Sequence, residues 1–176
     1  MNRWYVLYVK RGSEQDIADR INELGTVEAF VPRRIKFHKR AGQLIRLNEP
    51  IFTSYVFVET ELDYEAFYVH VLSHVKLNTA YFKTLSFRDK SVDALHPQEK
   101  DFLMSLMDHS RTIGESTGLV EGDTVTILDG PLKGQQSAIV KIDRHKQCAT
   151  LRLSLMGRPI DVRVALQLIY KDPIKL

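Results

Sequence analysis

The chain has 176 residues, of which 44% are hydrophobic and 27% charged, with a formal net charge of +3; this balance builds a core and excludes disordered and fibrous classes. No apolar run approaches the ~20 residues that cross a bilayer, and Trp4–Val9 is too short for a signal-peptide core, so a cytoplasmic protein without membrane contact is expected. The one cysteine, Cys148, forms no internal disulfide and reads as a small core residue in a reducing compartment.

Trp4 to Val9 is an unbroken apolar and aromatic run closed by Lys10-Arg11-Gly12, the pattern of a buried central strand followed by a turn. Ile17, Ile21 and Leu24 then recur at helical spacing until Gly25, which predicts a first helix. Val27 to Lys39 reads as a strand and Ala41-Gly42 as a hairpin turn into Gln43 to Leu47. Ile51 to Val58, with Phe52, Tyr55 and Phe57, is the densest aromatic and β-branched run and predicts a second central strand. A helix is expected over Tyr64 to Leu72, a strand over Lys76 to Phe82, and a third helix over Pro97 to Met107, with Pro97 in its first turn.

Periodicity breaks between Asp108 and Gly118, where Ser110, Thr112, Gly114, Ser116 and Thr117 follow in quick succession; residues 109–118 are therefore read as a linker. Short β-type runs follow at Thr124–Leu128, Ser137–Asp143, Ala149–Leu155, Pro159–Val164 and Gln167–Tyr170. Five short strands suit a small SH3-like barrel, which limits exposed edges. The expected fold class is α+β: an α/β sandwich over 1–108, the linker, and an all-β barrel over 119–176.

Charge is uneven. Between Ala29 and Asn48 the chain carries Arg33, Arg34, Lys36, Lys39, Arg40 and Arg46 with no acidic residue. The second half holds Lys133, Lys141, Arg144, His145, Lys146, Arg152, Arg158 and Arg163. A field of this sign suits a polyanion, and phosphate contacts are expected from these side chains; the alternative is a solvated basic surface.

Two segments carry a family resemblance. Gly122-Asp123-Thr124-Val125-Thr126-Ile127-Leu128-Asp129-Gly130-Pro131-Leu132-Lys133-Gly134, followed by Ser137-Ala138-Ile139-Val140-Lys141-Ile142-Asp143, resembles the KOW motif. Ser137 stands where a second turn glycine is usual. Trp4 to Val9 together with Glu49-Pro50-Ile51-Phe52-Thr53-Ser54-Tyr55-Val56-Phe57-Val58 is similar to the amino-terminal domain of the NusG transcription factors, with Phe52-Thr53-Ser54 where Phe-Pro-Gly is usual. In this order the two cover nearly the whole chain.

The resemblance implies that the first domain docks on the clamp helices of the largest RNA polymerase subunit, and the matching positions are Tyr8, Phe52, Tyr55 and Phe57. The alternative is that these aromatics are core. It also implies that the second domain binds an RNA hairpin, or instead a ribosomal or termination protein. The Trp4–Tyr8 run and the Lys10-Arg11-Gly12 turn are similar to specialised paralogues of the RfaH type, and the basic second domain to those of the LoaP type. A monomer without cofactor or metal follows from the same resemblance.

No constellation for catalysis is found. His70 and His74 share a helical spacing but lack a third ligand nearby, and there is neither a nucleophile elbow nor a phosphate-binding glycine loop. Three functions remain open: a polymerase-bound elongation or antitermination factor, a free RNA-binding regulator, and an enzyme built on this scaffold.

Overall fold

The computed structural model describes residues 2–75, 79–86 and 94–171. The chain forms two compact units: the first comprises Met1–Pro32, Pro50–Phe102 and Ser154–Arg158, the second Arg33–Glu49, Leu103–Leu153 and Pro159–Leu176. The mixed class expected from sequence holds.

In the first unit, β1 (Arg3–Val9), β2 (Glu28–Phe30), β5 (Tyr55–Thr60) and β6 (Tyr81–Thr84) form a four-stranded sheet in the order β2-β5-β1-β6. Antiparallel register pairs Val6 with Phe57 and Tyr8 with Tyr55. Alternation sends Tyr5, Leu7, Val9, Val56 and Val58 to one face, where they pack with Ile17, Ala18 and Ile21 of α1 (Glu14–Asn22) and with Phe67 of α2 (Tyr64–Phe67). Trp4, Phe30, Phe52 and Phe57 pack together: ring centroids lie 5.0 Å apart for Trp4–Phe30, 6.1 Å for Trp4–Phe57 and 5.6 Å for Phe52–Phe57. From Trp4 to Leu7 the side chains on both faces of β1 are buried, so the strand has to be apolar there, which explains its unbroken sequence run.

The second expected strand begins at Tyr55, later than Ile51, because Ser54 turns the chain with φ 71°. Glu14, 7% exposed, ties this turn to the first one: its carboxylate accepts from Gly12 N and Ser54 N, each at 2.7 Å. Ser54 therefore holds the left-handed conformation that suits glycine. Ser54→Gly should raise stability by about 0.5–1 kcal/mol, read as a rise of a few degrees in Tm. An unchanged or lowered Tm would show that Ser54 carries no backbone strain.

The expected helix over Tyr64–Leu72 runs further than the sequence suggested. Asp63 caps α2 by accepting from Ala66 N at 2.9 Å, a π-turn spans Tyr68–Leu72, and α3 (Ser73–Val75) closes the segment. Of the strand expected over Lys76 to Phe82, residues 76–78 lie outside the described residues, and β6 holds the remainder from Tyr81. The helix at Pro97 is α4 (Pro97–Leu106).

The second unit contains a three-stranded sheet, β4-β3-β7, made by β3 (Arg33–Arg40), β4 (Gln43–Pro50) and β7 (Thr112–Ile113). Val27–Lys39 is thus two strands, interrupted at Val31-Pro32. Its five-stranded sheet has the order β10-β11-β12-β8-β9, with β8 (Ser116–Glu121), β9 (Thr124–Asp129), β10 (Ile139–Asp143), β11 (Cys148–Leu155) and β12 (Arg158–Tyr170). The last two expected runs are a single strand, since Ala165 and Leu166 between them are fully buried and offer no turn.

The stretch 109–118, expected to be a linker, is structured. Thr112 and Ile113 pair in parallel with Arg33 and Arg34, while Ser116 to Val120 pairs with Leu166 to Tyr170. Its small polar residues serve local bonds. Asp108 Oδ1 accepts from Ser110 N and Thr112 N, and Ser116 Oγ accepts from Leu132 N at 3.0 Å. The Ser110 hydroxyl, which donates to the same Asp108 Oδ1 at 2.7 Å, is the main cause that holds the Asp108 carboxyl below its ordinary range, with the Thr112 and Ser110 amides adding to it.

Candidate nucleic-acid and protein interfaces

In the second unit, β3 enters beside β7 with only Arg33 and Arg34 in register with it. Beyond Arg34, β3 has β4 as its one strand neighbour among the described residues. Arg34 anchors this hairpin, donating from Nη1 to Arg163 O at 2.7 Å and from Nη2 to Glu49 Oε1 at 2.8 Å. Arg33 spans the hairpin to Asn48 Oδ1 and O at 2.9 and 2.8 Å. A cavity of about 360 Å³ then opens between the hairpin and the five-stranded sheet, lined by Lys36, Phe37, His38, Lys39 and Leu44 from β3–β4 and by His145, Lys146, Cys148 and Arg163. Six of these nine are basic, and the described lining includes no carboxylate. Chain segments over a hundred residues apart thus concentrate positive potential in one concave place.

Glu49 is the nearest counter-charge on the hairpin, at 2.8 Å from Arg34 and 3.4 Å from Lys36. Burial pushes its carboxyl pKa up, but the hydrogen bond and charge of Arg34, with Lys36 behind it, outweigh burial and hold it below the ordinary value of 4.5. A depressed folded-state pKa means that the ion pair is fully present above that ordinary value and is lost as pH falls through the folded one. Glu49→Gln should flatten the loss of stability on acidification below 4.5. It should also tighten polyanion binding a few-fold by releasing Lys36, and steepen its salt dependence. Unaltered affinity and salt slope would place Lys36 outside the binding surface.

The structure sorts the other basic candidates. Arg144 donates to Gly122 O at 3.0 Å and Asp123 O at 2.6 Å and so holds the β8–β9 turn. Arg152 donates from Nε and Nη2 to both carboxylate oxygens of Asp161, at 2.9 and 3.0 Å, so the pair is nearly neutral. Lys146 sits 3.9 Å from Asp143, a loose contact that leaves its charge usable. Arg40, Lys133, Lys141 and Arg158 are exposed but do not line the cavity. His38, Phe37 and Leu44 were missed by the charge count, although His38 lies between Lys36 and Lys39 in sequence. Cys148, expected as core, is 5% exposed, and burial, then Asp143, pushes its thiol pKa up, so it stays protonated.

In the first unit, the four aromatics matched to polymerase docking divide. Phe52 and Phe57, at 4% and 0% exposed, belong to the interior and cannot present area to a partner in this conformation. Tyr8 and Tyr55 are half-buried cross-strand partners with centroids 5.7 Å apart. Phe82, 54% exposed, lies 5.3 Å from Tyr8 on the other side. Phe82 was not singled out from sequence, since it ends a run with few strand signals. Three aromatics side by side on β5, β1 and β6 form an exposed apolar patch with little rotamer entropy to lose.

A second concavity on the five-stranded sheet is lined by Val125, Ile139, Val140, Lys141, Ile142, Asp123 and Arg144. Among the described residues no three His, Cys, Asp or Glu side chains group to hold a metal ion, and no helix is long and apolar enough to cross a membrane.

Two segments of the chain match known families. Residues 2–99 match the family model described as transcription termination factor nusG, and residues 121–155 match the KOW motif. The chain is 26% identical over 163 residues to the transcription termination/antitermination protein NusG of Streptococcus pyogenes, covering 88% of this chain and 87% of that protein. The corresponding protein of Xylella fastidiosa is 24% identical over 177 residues, 92% of this chain and 95% of its own length. A 47-residue segment is 34% identical to the transcription elongation factor Spt5 of Methanocaldococcus jannaschii, 27% of this chain and 32% of that one. A solved structure described as domain interaction in Thermotoga maritima NusG shares the fold, with a TM-score of 0.50, 19% identity and 94% of both chains covered.

Proposed function

Because the chain belongs to the NusG family of transcription factors, with a family match over residues 2–99 and a KOW motif over residues 121–155, we propose that it is an elongation and antitermination factor that holds RNA polymerase and RNA together. Residues 1–108 form the polymerase-binding domain and residues 119–176 the KOW domain in this reading. The observation that carries it is the exposed Tyr8–Tyr55–Phe82 patch on the sheet of the family-matched segment. An apolar patch of rigid rings suits a helical protein partner, here the clamp helices of the polymerase's largest subunit. The factor works mechanically, by bridging the clamp across the DNA channel, and has no catalytic step or cofactor.

RNA is the second partner, supported by the basic cavity of the second unit. A basic lining that includes no carboxylate of its own favours a specialised paralogue of the LoaP or RfaH type, reading an RNA hairpin and acting as a cytoplasmic monomer on long operons. A second reading has one observation in its favour. Val140, 45% exposed, lies in the concavity with Val125, Ile139 and Ile142, and an apolar surface there suits a ribosomal or termination protein. Association of the full chain with purified core polymerase tests the main reading: wild type binds, and Tyr8→Ala with Phe82→Ala loses binding while the circular dichroism spectrum is retained. Equal binding by both proteins would overturn the docking assignment.

A further inference from the structure

Charge alone explains attraction to any polyanion, but the cavity of the second unit is more selective than a charged face. Its volume, about 360 Å³, falls at the low end of the ~300–1,000 Å³ typical of sites for small ligands. A groove of this size has no room for a double helix. Its wall also has an apolar part, where Phe37, Leu44 and the buried, protonated Cys148 meet the cations. Phe37 is half-buried and Leu44 is 46% exposed, so apolar surface is accessible on this wall.

Phosphate needs cations, and a base needs a flat apolar surface with hydrogen-bonding groups at its edge. The cavity offers both, since Lys39, Lys146 and Arg163 are exposed at its lining. The β3 backbone past Arg34 has no strand neighbour on the side away from β4 among the described residues, so no described ladder takes up its main-chain donors and acceptors on that side.

From this we infer that the cavity receives one unpaired nucleotide of an RNA strand, with the flanking phosphates on Lys39, Lys146 and Arg163 and the base against Phe37. The inference rests on the RNA-binding reading above and narrows it from a charged surface to a strand-selective pocket. A-form duplexes hide their base edges in a deep, narrow groove, whereas loops and bulges present them. The protein would therefore recognise an RNA hairpin by a base displaced from its loop.

The test uses the full chain and fluorescence anisotropy with three probes: a short single-stranded oligoribonucleotide, the same sequence sealed in a blunt duplex, and free nucleoside monophosphates as competitors. The single strand should bind about tenfold more tightly than the duplex, and Phe37→Ala should remove that preference while duplex affinity stays put. Lys39→Glu, on an exposed hairpin position, should weaken both forms and lower the slope of log affinity against log salt by about 0.7 on the single strand. Equal binding of the two forms by wild type, or a preference that survives Phe37→Ala, would overturn the pocket while leaving the RNA reading intact. Competition by the monophosphates as effective as by the strand would reassign the pocket to a free nucleotide. Absence of binding to either RNA form would overturn the RNA reading itself.

Discussion

Gly130→Ala is expected to cost about 2–5 kcal/mol, combining overpacking with a left-handed backbone that an L side chain resists. Gly130 follows β9 with φ 90°, and a Cβ there would stand 2.6 Å from both Glu115 O and Ser116 Cα and 2.7 Å from Ser116 Oγ. Two of those atoms are backbone and cannot rotate away. Ser116, 1% exposed, accepts the hydrogen bond of Leu132 N, which places the wholly buried Leu132. Ser116 also begins β8, which pairs with both β9 and β12. Displacing it therefore disturbs three strands at once. Gly134→Ala is the control: its φ is 82°, but nothing lies within 4 Å of its added Cβ, so only the backbone term of about 1 kcal/mol applies. Denaturant titration of the two variants checks this. Equal losses would show that the close approach at Gly130 relaxes freely.

Joint replacement of Tyr8 and Phe82 by alanine should weaken association with RNA polymerase by at least about 2 kcal/mol, some 30-fold, as expected for aromatic anchors at the centre of an interface. Tyr8 is the middle ring of the patch, 5.7 Å from Tyr55 and 5.3 Å from Phe82. Exposure makes the experiment interpretable: Phe82 is 54% exposed and Tyr8 half-buried, so their removal leaves the interior packed. Phe57→Ala would be uninformative, because that ring fills the space between Trp4, Phe30 and Phe52 and its loss costs about 3–5 kcal/mol of fold stability. Binding is best followed by surface capture of the polymerase, with melting temperature measured in parallel. A double variant that folds and binds like wild type would move the docking face elsewhere.

Strand order is not written locally, but much else in this chain is. The Trp4–Val9 run, the helix at Ile17–Ile21 and the Pro97 helix start were legible because buried faces impose a period on sequence. The stretch 109–118 was not. Ser, Thr and Gly are the residues of linkers, yet here Thr112 and Ser116 are buried polar groups, and their partners, Arg33 and Leu166 in the ladders and Leu132 at the Ser116 hydroxyl, lie far along the chain. Composition cannot distinguish a hydroxyl that meets water from one that meets a backbone amide.

The candidate sites show the same division. The basic run of the hairpin was visible as charge, but which charges remain available was decided by partners. Arg152 is taken by Asp161 and Arg144 by two carbonyls, while Lys39, Lys146 and Arg163 converge on one cavity. Among the aromatics, Tyr55 and Phe57 are two positions apart on β5 and so share one face, but cover separates them: Phe57 lies under other rings and Tyr55 at the open end. A period of two assigns a face but not what lies above it.

Transcription by purified polymerase through an intrinsic terminator placed behind a structured leader RNA tests the central claim most directly. Wild-type protein should raise the fraction of read-through transcripts, the Tyr8→Ala, Phe82→Ala protein should leave it at the level of polymerase alone, and Lys39→Glu should fall between them. Read-through and pausing that do not change on adding wild-type protein, with the same preparation still binding the leader RNA, would contradict a polymerase-bound elongation factor and leave a free RNA-binding regulator.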